Sequence, residues 1–555
     1  MNPTAATGAS PSSHRKTRPH RFAFVALAAC ALIYAWGCMA AISRNDPWYR
    51  NTDMDMHNLV DALAINSGVA PVGIDQPALP TKYFLALDFR IRHHLGVLSA
   101  WNLEGLAASV EPLDEIRSLI HIERIHSRVL VIFFILAAAG LVYAVTELIE
   151  PFCLAVILLA GNSGVLFHGL LSRPDLFCVG FGAVLAVRCA WLATSARSPL
   201  LHSGWLFLAG IFCGLSFLSK LPGLLYLPAC YVWCWLAALH SGSRIPEPAA
   251  TSNGRTTRFG LLPAGVGVAT LWLVDRLMQT QAVFSATASL RLRLVATTAA
   301  LLPVLPLVGR PRGWGRFLLA RGHELAVLGG GALASLLLGY GSLRAVMPGP
   351  AADSYLAHVL QLMFDPDPLM KYFLGATPNA AREFLSFVKE APFLFAGGAA
   401  AAGLSLLRSA PRLLRLFCLL LLLLGVGMAL LLSRRYFLDQ FSVYAHVPLL
   451  LVWPVILFAL GVWRPKEGAG APWAIPVLLA AASVILLSAY FQLRPKYTAF
   501  QPDVALPVNE LTLTFIYAHN AHPQKYRQIM QDHYGDRKSF AAKLNEYLAD
   551  PAHRQ

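Results

Sequence analysis

Charged residues are scarce in this chain. They make up 14% of the 555 positions, whereas an average soluble protein carries about 25%. Hydrophobic residues make up 56%. A chain of this composition cannot cover its surface with polar groups, so an ordinary soluble fold is excluded. The composition instead predicts an all-α polytopic membrane protein.

Several sequence motifs are also absent. The nine cysteines lie in the apolar runs and none lies in the long polar segments, so no disulfide framework is indicated. The sequence has no CxxC…CxxC or HExxH pattern and no GxxxxGK[ST] phosphate-binding loop. ATP-driven transport by this chain alone therefore lacks support.

The apolar runs predict about 13 transmembrane helices, since a bilayer core takes about 20 mostly apolar residues per helix. The first run is too long for a signal-peptide core and is interpreted as an uncleaved anchor. The predicted spans are 22–43, 128–146, 152–171, 176–195, 205–219, 221–239, 259–275, 294–308, 324–345, 391–407, 413–432, 441–463 and 473–491.

The net charge of +15 indicates membrane topology and does not favour a nucleic-acid partner. Most basic residues lie in short loops that alternation places on the side of the N-terminus, with Arg291 and Arg293 as the exception, so this side is predicted to be cytoplasmic. The resulting division is a basic N-terminus (1–21), a transmembrane domain (22–492) and an extracytoplasmic helical tail (493–555). Two large extracytoplasmic loops are predicted at 44–127 and 346–390. The bacterial inner (plasma) membrane is the expected location.

The first of these loops contains two carboxylates in close sequence. Asp53 and Asp55 precede residues 56–66, whose apolar positions have helical spacing, and Gly68 follows as a C-cap. The pattern predicts an amphipathic helix near the membrane interface. A carboxylate beyond a membrane span is a candidate general base. The alternative is that Thr52 or Asp55 only caps the helix.

Several short segments resemble one known family. They are an aspartate- and proline-containing turn at 73–84, Glu-Arg at 123–124 before the second span, Ser-Arg-Pro-Asp at 172–175, Gly-Leu-Ser-Phe-Leu-Ser-Lys-Leu-Pro at 214–222 and Arg435-Tyr436. Together with the first loop they resemble the GT-C superfamily of polyprenyl-phosphate-sugar-dependent glycosyltransferases. The protein mannosyltransferases and the lipid A aminoarabinose transferase are branches of it. The likeness covers residues 20–240 well and the remainder weakly.

The sequence also departs from that family's pattern. The acidic pair is Asp53-Met54-Asp55 where relatives have adjacent acidic residues, so either aspartate remains a candidate base. Asp75-Gln76-Pro77 stands where many relatives have His-Pro. The absence of a Trp-Trp-Asp-Tyr-Gly pentapeptide argues against an oligosaccharyltransferase subunit.

The resemblance implies transfer of a sugar from a polyprenyl-phosphate donor to an acceptor at the extracytoplasmic face, with Asp53 or Asp55 as the base. The donor phosphate would be bound by Lys220, Arg173, Arg434, Arg435 and Tyr436, and further substrate contacts would come from His57, Asp75, Lys82 and Tyr83. No cofactor is predicted. His57 and the aspartates are competent ligands for a divalent metal, but three such residues in five are more typical of a polar loop.

Two alternatives remain open at this point. A lysine or arginine at the end of a span is also typical of snorkelling to the interface without a catalytic role. A secondary transporter or flippase is the competing class of protein. Transporters usually place charges in the middle of spans and show broken helices in matched halves, whereas the charges here concentrate in one loop and at span ends.

Overall fold

The structure is a computed structural model, and it describes residues 19–44, 46–49, 52–71, 78–196, 198–240, 255–279, 286–301, 314–364, 384–385, 388, 397, 411–433, 441–460, 474–499, 510–518 and 523–554. Within these ranges every regular element is a helix and no strand occurs. The predicted all-α class is confirmed.

The helices that the structure describes are numbered α1 to α21. In chain order they are α1 Pro19–Arg44, α2 Thr52–Asn66, α3 Leu79–His94, α4 Leu103–Ala108, α5 Pro112–Thr146, α6 Ile149–Ala160, α7 Ser163–Phe167, α8 Pro174–Thr194, α9 Pro199–Ser219, α10 Tyr226–His240, α11 Arg255–Gln279, α12 Ala286–Leu301, α13 Trp314–Val346, α14 Gly349–Phe364, α15 Arg412–Ser433, α16 Ser442–Ala459, α17 Ala474–Ala499, α18 Glu510–Ala518, α19 Gln524–Tyr534, α20 Arg537–Tyr547 and α21 Pro551–Arg554.

Seven helices in the described part of the chain are long and apolar enough to cross a membrane: all or most of α1, α5, α8, α9, α13, α15 and α16. Shorter apolar helices lie at Ile149–Ala160, Pro222–Ala238 and Ser483–Leu493. The chain is therefore an integral membrane protein, as predicted, while the count of about 13 spans is not confirmed. The predicted span 391–407 lies almost entirely outside the described residues.

The predicted span 152–171 is not one continuous helix. It is divided between α6 and α7 at Gly161, and the side chain of Asn162 caps α7 by accepting a hydrogen bond of 3.0 Å from the backbone N–H of Val165. Nearly all of α6 is buried against α1, α5, α16 and α17. Because α6 is enclosed by protein, its uniformly apolar sequence does not require it to span the bilayer.

Helix α5 begins sixteen residues before the start predicted for the second span. Pro112 occupies its first turn, and the side chain of Glu111 accepts a hydrogen bond from the backbone N–H of Leu113. Pro and a capping carboxylate are typical of a helix start. The early start extends α5 into the first loop, so Arg124 projects from a continuous rigid helix.

The first loop and the C-terminal tail pack together as one unit, here called the loop–tail module: α2, α3, α4, the first turns of α5, and α18–α21. A single apolar core joins them. The indole N–H of Trp48 donates to the backbone carbonyl of His553 at 2.9 Å, and Arg117 donates to that of Ala552 at 3.1 Å. Loop and tail therefore lie at the same end of the bundle.

Helix α2 differs from expectation in its surroundings. It ends at Asn66 as predicted, and the left-handed φ of +69° at Gly68 is as expected for a glycine C-cap, but it begins at Thr52, four residues before the predicted start, and includes Asp53 and Asp55. The helix was predicted to lie at the membrane interface, but Leu59, Leu63 and the polar Asn58 and Asp61 are all buried. The tail and α3 pack on faces of α2 that were predicted from the sequence pattern to contact lipid and water.

Candidate active site

Asp55 is a fully buried carboxylate in the first turns of α2. The helix begins at Thr52, three residues earlier, so Asp55 is not the residue that caps its N-terminus. One carboxylate oxygen lies 3.3 Å from Nε of Arg124, and the other accepts a hydrogen bond of 3.3 Å from the backbone N–H of Ser172. The capping interpretation of Asp55 is therefore wrong.

Arg124 holds a second carboxylate as well. Its guanidinium lies 3.2 Å from Oδ2 of Asp46 and donates to the backbone carbonyl of Asp46 at 2.8 Å. Arg124 has no exposed surface. A buried charge of this kind persists only when it is paired and hydrogen-bonded, so Arg124 fixes the entry to α2 against α5.

The turn at 172–175 connects α2 to the next cluster of charges. The side-chain amide of Asn58 donates to the backbone carbonyl of Ser172 at 2.8 Å. Together with the hydrogen bond from Ser172 N–H to Asp55, this attaches the turn to one face of α2 at two points. Arg173 and Asp175 in the same turn are thereby held beside Asp55.

Asp175 is the centre of that neighbouring cluster. Nζ of Lys220 lies 2.7 Å from one carboxylate oxygen and Nε of Arg173 lies 3.1 Å from the other, and the hydroxyl of Tyr444 donates at 3.0 Å. Asp175 and Lys220 come together because each lies at a helix end: α8 begins at Pro174, and Lys220 is the residue that ends α9. Two cations face this one carboxylate, so the cluster carries an excess positive charge that an anion would neutralise.

A third cluster surrounds Lys82 on α3. Nζ of Lys82 lies 2.8 Å from Oδ2 of Asp61 on α2, and it lies 5.9 Å from the ring centroid of Tyr355 on α14. The backbone N–H of Ala78, at the start of α3, donates to the carbonyl of Ser219 at 3.2 Å. This bond places the Lys82 cluster next to the end of α9, where Lys220 lies.

Burial sets the protonation behaviour of these groups. It raises the pKa of Asp55 to about 6, although Arg124 and the Ser172 N–H act in the opposite direction. Burial alone would lower the pKa of Lys82, but Asp61 and Tyr355 outweigh it and raise that pKa above its usual value. Burial also raises the pKa of the Tyr83 hydroxyl. Asp55 is thus a carboxylate whose pKa suits general-base catalysis near neutral pH.

The structure brings together Asp55, Arg173 and Lys220, and it places Lys82 and Tyr83 in the adjoining cluster. His57 lies apart from them, with its ring in an edge-to-face contact at 5.3 Å with Phe515 of the tail. The remaining predicted residues lie outside the description of the structure, either wholly or in their side chains: Asp53, Asp75, Arg434, Arg435 and Tyr436.

Six charged or tyrosine residues of these clusters had not been assigned to the site from the sequence: Asp46, Asp61, Arg124, Asp175, Tyr355 and Tyr444. Arg124 and Asp175 lay in segments of the family resemblance, and the Asp-Pro at 46–47 lay close to the aspartate pair. Asp61 resembled any polar residue on an amphipathic helix, and the two tyrosines lie hundreds of residues from their partners. Among the described residues, no group of three or more His, Cys, Asp or Glu side chains has a metal-binding arrangement.

No protein-family model matches the sequence, and no curated protein matches it significantly. The structure is similar to the oligosaccharyltransferase AglB from Archaeoglobus fulgidus in complex with an inhibitory peptide and a dolichol-phosphate, with 16% identity, a TM-score of 0.48, and coverage of 91% of this chain and 60% of that one. The structure is also similar to the apo form of the oligosaccharyltransferase from the same organism. The identity is 16%, the TM-score is 0.44, and the match covers 93% of this chain and 60% of that one.

ArnT from Cupriavidus metallidurans, bound to undecaprenyl phosphate, is also similar, with 14% identity, a TM-score of 0.25, and coverage of 96% of this chain and 88% of that one. The present chain spans 60% of the length of the two archaeal structures. Identities this low do not transfer an activity or the role of a residue.

Proposed function

We propose that this chain is an integral membrane glycosyltransferase that moves a sugar from a polyprenyl-phosphate carrier to an acceptor hydroxyl at the extracytoplasmic face. The observation that carries this proposal is the turn at 172–175. It holds the buried carboxylate of Asp55 beside the Arg173–Asp175–Lys220 cluster with its excess positive charge. A phosphate-linked donor requires a cation for the phosphate, and the acceptor hydroxyl requires a base.

In the proposed reaction the bond between the anomeric carbon and the phosphate oxygen breaks while the acceptor oxygen bonds to that carbon. The departing phosphate gains negative charge, which Lys220 and Arg173 stabilise with charge-assisted hydrogen bonds while Asp175 remains between them. Asp55 accepts the proton of the acceptor hydroxyl. Asp53, two residues earlier, is the second candidate base.

Lys82 and Tyr83 are proposed to contact the substrate on the other side of α2. The charge of Lys82 is already balanced by Asp61, so this cluster suits a neutral polar group, such as a hydroxyl, that forms hydrogen bonds without displacing Asp61. Arg434, Arg435 and Tyr436 remain proposed donor-phosphate contacts, and His57 and Asp75 remain proposed substrate contacts.

The proposal is tested by comparing cell-surface glycans by mass spectrometry with the gene intact, with the gene deleted, and with plasmid-borne variants. We expect deletion to remove one sugar mass from a surface glycan, lipid or protein. Asp55→Asn should fail to restore it. The matched control is Asp88→Asn on α3, a partly exposed carboxylate paired with Arg92 outside the three clusters. An unchanged glycan profile after deletion would contradict the proposal.

The proposed face of the membrane has a separate test. The distribution of positive loops predicts a cytoplasmic N-terminus and a loop–tail module outside, so a reporter fused after residue 555 that is active only when exported should be active. Since loop and tail share one core, a reporter that is active only in the cytoplasm would move the whole site to the cytoplasmic face.

One observation favours a second candidate function, a secondary transporter or flippase. Within the spanning helices, Glu324 on α13 lies 2.5 Å from Arg321 and 3.3 Å from Nε2 of His202 on α9. Buried charges in spans are typical of transport proteins. In proteoliposomes, translocation of a fluorescent polyprenyl phosphate that is abolished by Glu324→Gln, without any sugar transfer, would support this function in place of the transferase.

A further inference from the structure

Helix α3 has an apolar face that is exposed and is covered by no element among the described residues. One side of the helix is buried in the loop–tail module through Leu85 and Phe89. The other side presents Phe84, Leu87, Ile91 and Leu95, here called the α3 stripe, which are 46%, 51%, 48% and 71% exposed. Their spacing of three and four residues puts them on one helix face, so the exposure is a continuous band.

The α3 stripe is continuous with the surface of a membrane span. The ring of Phe84 stacks on that of Phe177, with centroids 5.3 Å apart, and Phe177 lies in the first turn of the spanning helix α8. At the other end of the stripe, Gly96 has a left-handed φ of +72°, and Val97 beyond it is exposed. The band therefore runs from the rim of the bundle outward along one plane.

Basic residues border the stripe. Arg90 and His94 are exposed, and they follow Leu87 by three and seven residues, which places them along the edge of the stripe. Arg92 is already paired with Asp88 at 3.0 Å, whereas within the described residues Arg90 makes no ion pair. Its guanidinium instead lies 5.1 Å from the ring centroid of Trp101. A charge supported by an aromatic ring and left without a carboxylate is suited to an external anion.

We propose that α3 lies in the membrane interface, with its stripe inserted among lipid chains and with Arg90 and His94 bound to the headgroups of anionic phospholipids. Apolar residues on one face and basic residues beside them are what such a surface binds. The partner is the bilayer, because the stripe continues from a span that the bilayer already surrounds. This inference does not depend on the proposed transferase activity.

Insertion is tested with a fluorescent probe on the stripe. Leu95→Cys is made in a Cys30→Ser background, since Cys30 is the exposed native cysteine and the other eight are buried. The full-length variant is labelled with NBD and reconstituted in phosphatidylcholine vesicles. We expect strong quenching by doxyl-labelled lipid and weak quenching by aqueous iodide. The control probe at Glu546→Cys, exposed on α20, should show the reverse. Equal iodide quenching at both positions would overturn the proposal.

The role of charge is tested with the same Leu95 probe. Quenching by doxyl-phosphatidylglycerol is compared with quenching by doxyl-phosphatidylcholine, and their ratio measures local enrichment of the anionic lipid. Arg90→Gln should lower the enrichment about fivefold, the share of one cation near an anionic surface. Lys538→Gln, an exposed cation on α20, should leave it unchanged. A probe that is inserted but shows no enrichment would refute the anionic-headgroup assignment.

Discussion

Helices α2 and α3 are neighbours in the first loop, and apart from the buried Lys82 near the start of α3 they use their charged residues in opposite ways. In α2 the charged Asp55 and Asp61 are buried and paired with cations from other helices. In α3 the charged Arg90 is exposed, and so are large apolar residues such as Leu87 and Leu95. A site of charge chemistry and a membrane-facing surface are thus built from adjacent helices of similar length.

The difference lies in what covers each helix. Helix α18 of the tail packs on α2 with residues such as Phe515, and α19 and α20 join the same apolar core, whereas the stripe of α3 is exposed in the described part of the structure. Burial makes ion pairs in α2 costly to break, because a remaining buried charge has no water to solvate it. Equivalent pairs on the surface of α3 are worth little. The predictions below compare matched substitutions in and around the two helices.

The largest contrast is expected for the two aspartates. Asp55→Asn should lower turnover by about 10²–10⁴-fold, the usual share of a general base, and Asp88→Asn should leave turnover within about twofold. Because the pKa of Asp55 is raised to about 6, wild-type turnover should fall about tenfold per pH unit below that pH. Initial rates against pH measure both effects. Equal turnover in wild type, Asp55→Asn, Asp53→Asn and the double variant would remove both aspartates as the base.

The raised pKa of Asp55 also affects the stability of the folded protein. Raising the pH favours catalysis but lowers this contribution to stability. The pKa of Asp55 in the folded protein lies above its ordinary value of 3.8, so the folded state binds the proton more tightly than the unfolded state. Its contribution to stability is present below pH 3.8 and is lost as pH rises through about 6. The ionised form needed for catalysis is therefore the less stable one.

A second contrast concerns arginines. Arg124→Met leaves Asp46 and Asp55 buried without their cation and should destabilise the protein by about 3–5 kcal/mol. Arg92→Met removes a partly exposed pair with Asp88 and should cost about 0–1 kcal/mol. Thermal unfolding in detergent, followed by the loss of monodisperse protein, gives the comparison. Similar melting temperatures for the two variants would mean that Arg124 does not anchor α2.

A third contrast, between Lys220 and Arg90, tests whether Lys220 takes part in catalysis or only anchors its helix at the membrane interface. Lys220→Gln should lower turnover at least tenfold, or about 1.4 kcal/mol of transition-state stabilisation, with little change in expression. Arg90→Gln should leave turnover unchanged while changing the lipid surroundings of α3. Snorkelling predicts the reverse for Lys220: full turnover with a somewhat lower membrane yield. That result would return Lys220 to an anchoring role.

The smallest effect is expected for a hydrogen bond that holds the tail against α5. The hydroxyl of Tyr547 donates to Asp114 at 2.5 Å, and Tyr547→Phe should weaken the tail by about 1 kcal/mol. Limited proteolysis should then cut the tail several times faster than in wild type. Leu87→Ala on the α3 stripe is the control and should leave tail cleavage unchanged. Tail protection that persists in Tyr547→Phe would show that this bond does not hold the module closed.

Sequence alone predicted the local features well. Helical spacing identified most of α2, the tail was expected to be helical, and Gly68 marked the end of α2 because its left-handed conformation favours glycine. The motif resemblance selected Asp55, Arg173 and Lys220 before the structure placed them together. These signals depend on near neighbours in the chain, or on segments that the resemblance supplied.

Sequence could not predict what depends on distant packing. Asp61 and Tyr355 became relevant only when α14 packed beside α2 and α3, and no pattern links positions so far apart. The burial of α2 depended on the tail, so its amphipathic pattern was equally compatible with lipid. The exposed apolar stripe of α3 can be distinguished only because Leu85 and Phe89 face the core in the folded protein.

The shared core of loop and tail also has a consequence for the order of synthesis. Trp48 and His553 are in contact across 505 residues of sequence, so α2 leaves the ribosome long before the helices that cover it. During that interval its apolar residues and the charges around Asp55 lack their final enclosure, as is usual for long-range contacts that form late. A nascent chain interrupted before residue 510 would therefore present an unfinished module to proteases and chaperones, which would mark defective copies for removal before a working site could form.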